Sequence, residues 1–155
     1  MDESKQLVRF SIGGRSLALP LSEVEEVVRT VEVTPLPEKA DEILGVINVR
    51  GEVVPVVDIR KQLRIDNKPM GLHDHFILVR TRKRTVALLV EGVQGVIEDC
   101  MEEAVPSGDI TDGIQRFRGV VKGDDGLIPV LGDLEAVIAD GKPRSTEGGS
   151  RRNRG

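Results

Sequence analysis

Leu44-Gly45-Val46-Ile47-Asn48-Val49-Arg50-Gly51-Glu52-Val53-Val54-Pro55-Val56-Val57 decides the fold, because its apolar frame occurs twice in the chain. Arg118-Gly119-Val120-Val121 and Leu127-Ile128-Pro129-Val130-Leu131 form the second copy, joined by Lys122-Gly123-Asp124-Asp125-Gly126. In each copy a glycine-bearing turn separates two runs of aliphatic residues, the pattern of an antiparallel hairpin. The duplication continues outward at one constant offset. Residues 14 to 28 laid over 83 to 97 match Leu17 with Val86, Ala18 with Ala87, Leu19 with Leu88, Val24 with Val93 and Val27 with Val96.

Two more hairpins follow from alternation of apolar and polar residues. Val8, Phe10 and Ile12 face Leu17, Leu19 and Leu21 across a Gly13-Gly14 turn, and Phe76 to Arg80 faces Thr85 to Val90 across Arg82-Lys83-Arg84. Each half also ends in a short helical pattern, Asp58 to Leu63 and Asp133 to Ile138, with an acidic residue suited to a helix N-terminus. About five short strands and one short helix per half describe a small closed barrel that hides its own edges. A half of roughly 70 residues is marginal alone, so two barrels packed on a shared apolar layer are expected.

The expected division places a flexible start at residues 1–6, barrel one at about 7–65, barrel two at about 72–138 with chain ends free to cross over, and a disordered basic tail at 141–155. The boundary falls at Asp66 to Gly71, and a further loop at Gly108 to Gly113. Pro55 and Pro129 sit inside apolar runs, which predicts edge strands or bulges there.

The 155 residues are 39% hydrophobic, with no Trp and no Tyr, so Val, Ile and Leu must build the core. A single cysteine, Cys100, rules out an internal disulfide and a thiolate metal cage. The polar start and the lack of any long apolar run predict a soluble, cytoplasmic protein. Net charge is −4, yet residues 141–155 carry five cations against Glu147, a tail of +4 that leaves −8 on the body. An acidic body disfavours binding to a phosphate backbone.

Chemistry finds little support in the residues. His73 and His75 lack a third ligand at suitable spacing, and Cys100 lies in no nucleophile motif. Phosphate-cradling and nucleophile-elbow motifs are absent. Adjacent carboxylates such as Glu25-Glu26 and Asp124-Asp125 read as solvated faces. No catalytic residue, metal site or cofactor is therefore assigned. An enzyme using His73, His75 or Cys100 and a small nucleic-acid-binding barrel using Arg80 to Arg84 are the alternatives from other classes.

The duplication supplies an internal control. Where the first copy has Asn48-Val49-Arg50-Gly51-Glu52, the second makes the same turn without Asn or Arg, so the fold does not require them. Arg50 is either a surface arginine paired locally with Glu52 or Asp58, or an anchor for a partner helix.

The segment from Leu44 to Arg60 resembles the signature of the CheW family of chemotaxis adaptors, and the resemblance covers nearly all of residues 7 to 138. It implies an all-β fold with short helices, made of two five-stranded SH3-like barrels around a shared core. It also implies a non-enzymatic adaptor that binds the cytoplasmic tip of a chemoreceptor and the regulatory domain of a CheA-type histidine kinase. Other CheW-like modules are further possible partners, and contact with the membrane is only indirect, through receptor arrays. Residues carried over to receptor binding are Val24, Glu26, Gly45, Asn48 and Arg50. In the segment from Glu98 to Thr111 the bulky anchor of similar proteins is missing, leaving Val105 and Ile110 as the kinase contacts. That departure admits a divergent adaptor of another motility pathway, with altered or absent kinase binding.

Overall fold

The computed structural model describes residues 4–37, 42–66, 68–100, 102–103, 117–123, 126–132 and 134–135. In chain order the strands are β1 (Ser4–Ile12), β2 (Arg15–Pro20), β3 (Val24–Arg29), β4 (Ile43–Val49), β5 (Glu52–Val57), β6 (His75–Arg80), β7 (Thr85–Val90), β8 (Gly92–Cys100), β9 (Glu102–Glu103), β10 (Phe117–Gly123) and β11 (Gly126–Leu131). A 3-10 turn, Leu21–Glu23, links β2 to β3. One sheet runs β3-β6-β7-β5-β4, the other β8-β1-β2-β11-β10-β9.

Both sheets close by the same device. Beyond β3 the chain continues to Thr34, whose N–H and C=O bond Val46 of β4 at 2.9 Å each. In the other sheet β8 pairs with β1, and β9, one residue further on, pairs with β10. A strand that serves first one neighbour and then the other leaves no open edge. With β8 and β9 counted as one strand, each sheet is thus a five-strand barrel, as expected.

The barrels do not divide the chain at the connector. β1 and β2 join β8 to β11, while β6 and β7 join β3 to β5. The two repeats have exchanged their first hairpins, so residues 66–71 separate the repeats and not the barrels. Alternation of apolar residues tells which side of a strand is buried but not which sheet it enters.

Three apolar clusters result. Phe76, Leu78, Leu89 and Val56 fill the first barrel, and Leu7, Val121, Ile128 and Val130 fill the second. Between them lies the shared layer of Phe10, Leu17, Leu19, Val57, Ile59, Ile77, Val86, Leu88 and Leu131, drawn from both sheets. Every residue of β7 is buried, because one face lines the first barrel and the other meets the shared layer.

Pro55 and Pro129 need correction. β5 and β11 are interior strands, and the irregularities lie on their partners, between Ile43 and Gly45 and between Phe117 and Gly119. The prolines fit because the parallel ladders with β7 and β2 begin one residue later, at Val56 and Val130. The missing N–H therefore leaves no gap in either ladder. Asp58 to Leu63 forms a hydrogen-bonded turn and not the helix expected there, although Asp58 accepts the Arg60 N–H at 3.0 Å and the Leu63 N–H returns to Ile59 O at 3.1 Å.

Arg60 is 1% exposed, yet its guanidinium reaches Asp58 and Glu91 at 3.2 Å each. A buried cation is tolerable only with such partners. Burial opposes ionisation of Glu91, but the Gly13 N–H, Arg60 and Lys68 outweigh it and hold the carboxyl below its ordinary range. This network ties the end of β5 to the corner between β7 and β8. The corner between β2 and β3 is tied in a parallel way, by Arg118 of β10 to Glu23.

Candidate functional site

The β4–β5 turn is a two-residue loop, with Val49 opposite Glu52 and both Arg50 (φ 51°) and Gly51 (φ 88°) in the left-handed region. That is the turn type whose twist suits a hairpin, and its second residue is the expected glycine. Arg50 is the unusual occupant, since a non-glycine residue rarely adopts positive φ. Asn48 steadies the turn by accepting the Gly51 N–H on Oδ1 at 2.8 Å. The second copy has the same register, Gly123 opposite Gly126.

Arg50 does not pair with Glu52 or Asp58. Its guanidinium forms a two-pronged ion pair with Glu26 of β3, Nη1 to Oε2 at 3.3 Å and Nη2 to Oε1. The Arg50 hydrogen bond holds the Glu26 carboxyl below the usual carboxylate range, and Glu26 raises Arg50 in turn. A fork-to-carboxylate contact fixes orientation, although water screens its energy at 69% exposure of the arginine. Its effect is to hold a long side chain in one pose at the mouth of the barrel.

The five carried-over positions separate into two groups. Glu26, Asn48 and Arg50 lie at the surface around this turn. Val24 instead packs against the shared core, and Gly45 is buried where the barrel closes. At Gly45 (φ 153°) a Cβ would stand 2.2 Å from Thr34 O and 2.8 Å from Val33 Cγ1, so backbone closure explains this glycine. Val105 and Ile110 lie outside the described residues, as do the loop at 108–113 and the tail from 141.

The sequence reading passed over Val53. It sits opposite Asn48 and is 65% exposed, and Leu127 occupies the same register in the other barrel at 65%. Each barrel therefore turns one aliphatic side chain outward beside its β-turn. The signal was available, because Val54 and Val56 are the inward residues and period-two alternation sends Val53 outward.

The histidines do not converge on a site: His73 is exposed in the turn before β6, and His75 begins that strand. Among the described residues no group of three His, Cys, Asp or Glu side chains could hold a metal, and no helix is long and apolar enough to cross a membrane.

Twin closed barrels with a shared core, and an oriented charge pair on an exposed turn, define a protein-interaction module. The CheW-like domain model matches residues 6–142, and the chain belongs to the CheW-like family of chemotaxis scaffold and adaptor proteins. It is 30% identical to the chemotaxis protein CheW of Thermotoga maritima over 136 residues, 87% of this chain and 88% of that one. It is 27% identical over 138 residues to the probable chemotaxis protein CheW of Rhizobium etli, covering 88% of each. The crystal structure of the scaffolding protein TtCheW from Thermoanaerobacter tengcongensis superposes with a TM-score of 0.75 at 30% identity, over 83% of this chain and 88% of that chain.

Proposed function

We propose that this chain couples the cytoplasmic tip of a chemoreceptor to the regulatory domain of a CheA-type histidine kinase, in the cytoplasm and without chemistry of its own. The observation that carries the receptor half is the Arg50–Glu26 pair, set beside exposed Asn48 and Val53 on a turn whose second copy lacks all of these polar residues. A receptor tip is a helical hairpin, and a pre-oriented arginine next to an exposed aliphatic side chain suits such a surface. Val105 and Ile110 remain the proposed kinase contacts.

The test is binding of purified Arg50→Glu, Glu26→Arg and the double exchange to a receptor-tip fragment and to a kinase regulatory domain. Each single reversal should weaken receptor binding about tenfold or more while circular dichroism is unchanged, and the double exchange should recover part of the loss. Ile110→Asp should weaken kinase binding alone. Receptor binding that is indifferent to Arg50→Glu would remove the proposed surface.

A further inference from the structure

Arg50 occupies a backbone region, φ 51°, that side chains other than those of Asn and Asp seldom enter, and Gly51 follows it at φ 88°. A two-residue loop of this twist prefers Asn or Asp ahead of its second residue. The second repeat keeps to that preference: its loop is Asp124-Asp125, so an aspartate stands in the place of Arg50. In the place of Asn48 it has Lys122, whose side chain has no acceptor. The asparagine thus accompanies a residue that resists the turn and is missing where the residue favours it.

The link between the two is the peptide plane that joins Arg50 to Gly51. The Gly51 N–H lies in that plane, so Asn48 Oδ1, which accepts it at 2.8 Å, fixes ψ of Arg50. On the other flank Val49 is anchored opposite Glu52 in the ladder. With both flanks held, the Arg50 side chain leaves the turn in one direction, and its guanidinium meets Glu26 of β3 through both Nη1 and Nη2. Glu26 alone is a weak restraint, because the arginine is 69% exposed and water competes for both groups.

Asn48 is itself exposed, and its Nδ2 meets no acceptor among the described residues. That nitrogen is the donor it has free for a direct contact with a partner. The oxygen, by contrast, is already committed to the turn.

We infer that Asn48 is a positioning residue, which serves receptor binding by holding Arg50 in the left-handed region and touches no partner itself. The inference rests on the receptor-binding reading of Arg50. It moves Asn48 from the contact surface to the support behind that surface.

The test joins binding of a receptor-tip fragment to an NMR titration of the Glu26 carboxyl in the full chain. Asn48→Ala should bind about fivefold more weakly, the effect of one lost hydrogen bond. Asn48→Asp keeps the acceptor and loses the Nδ2 donor, and should bind as the parent does at salt high enough to screen the added charge. In an Arg50→Ala background Asn48→Ala should cause no further loss, because a support has no effect once the group it supports is gone. The Arg50 hydrogen bond holds Glu26 below the usual carboxylate range, and Asn48→Ala should move its titration back toward that range. A further loss in the Arg50→Ala background, or Asn48→Asp binding as weakly as Asn48→Ala, would overturn the inference and make Asn48 a contact. A Glu26 titration unmoved by Asn48→Ala would overturn it equally. If Arg50→Ala itself binds as the parent does, the receptor-binding reading fails instead, and the Glu26 titration decides whether Asn48 orients the arginine.

Discussion

Arg118 meets Glu23 across 95 residues of sequence, Nη1 to Oε2 at 2.8 Å and Nη2 to Oε1 at 3.0 Å, while its Nε donates to Leu131 O at 2.7 Å. The pair ties a strand of the second barrel to the corner by which the chain leaves that barrel for the first. Both side chains are about 30% exposed, so desolvation is incomplete and the bond is moderate in strength.

Arg118→Ala and Glu23→Ala should each lower stability by about 1 kcal/mol, a fall of roughly 2 to 4 °C in melting temperature. A double-mutant cycle in urea measures the coupling directly. Strictly additive losses would show that the arginine acts only through its bond to the Leu131 carbonyl.

Gly45→Ala should lower stability by more than about 2 kcal/mol, since both the positive φ and the Thr34 carbonyl oppose a side chain. Calorimetry beside a receptor-binding assay separates this position from Arg50. Loss of binding at Gly45 should be accompanied by loss of melting temperature, whereas loss at Arg50 should not. A fully stable Gly45→Ala protein that binds poorly would return this glycine to the contact surface.

The hydrogen bond from Arg84 holds the Glu135 carboxyl below its ordinary range, with Thr81 adding to the effect and burial opposing it. A carboxyl with a depressed folded-state pKa binds protons more weakly when folded than when unfolded. Its stabilisation is therefore complete above the unfolded value, about 4.3 for glutamate, and is lost as the pH falls through the lower folded value. Glu135→Gln should flatten the acid limb of a melting-temperature profile below about pH 4 and reduce stability at neutral pH. An unchanged acid limb would mean that other carboxylates dominate acid unfolding.

Hairpins and turns were legible because local chemistry specifies them. Gly13-Gly14 and Arg50-Gly51 mark reversals, and alternation around Phe10, Leu19 and Leu88 marks buried faces. The partner of Arg50 was not legible: Glu26 lies 24 residues away, on a strand brought near only by barrel closure, while Glu52 and Asp58 were close in sequence. Gly45 was read as a contact because its motif carried it, and only the path of Thr34 shows what its missing side chain makes room for. Pro55 was misplaced because the start of a parallel ladder depends on a strand 30 residues downstream.

The exchange of hairpins sets an order on synthesis. During translation the first barrel lacks its central strands until residue 90 has left the ribosome, although β3, β4 and β5 are complete by residue 57. Meanwhile β1 and β2 wait, with Leu7 and Ala18 of the second barrel's core uncovered, for strands that end at residue 131. The first barrel draws only on the contiguous stretch from β3 to β7, but the second combines β1 and β2 with β8 to β11 and cannot close from any one contiguous half of the chain. The nascent polypeptide must therefore carry unpaired strands through most of its emergence, where passing chains of its own kind are the nearest competitors for them.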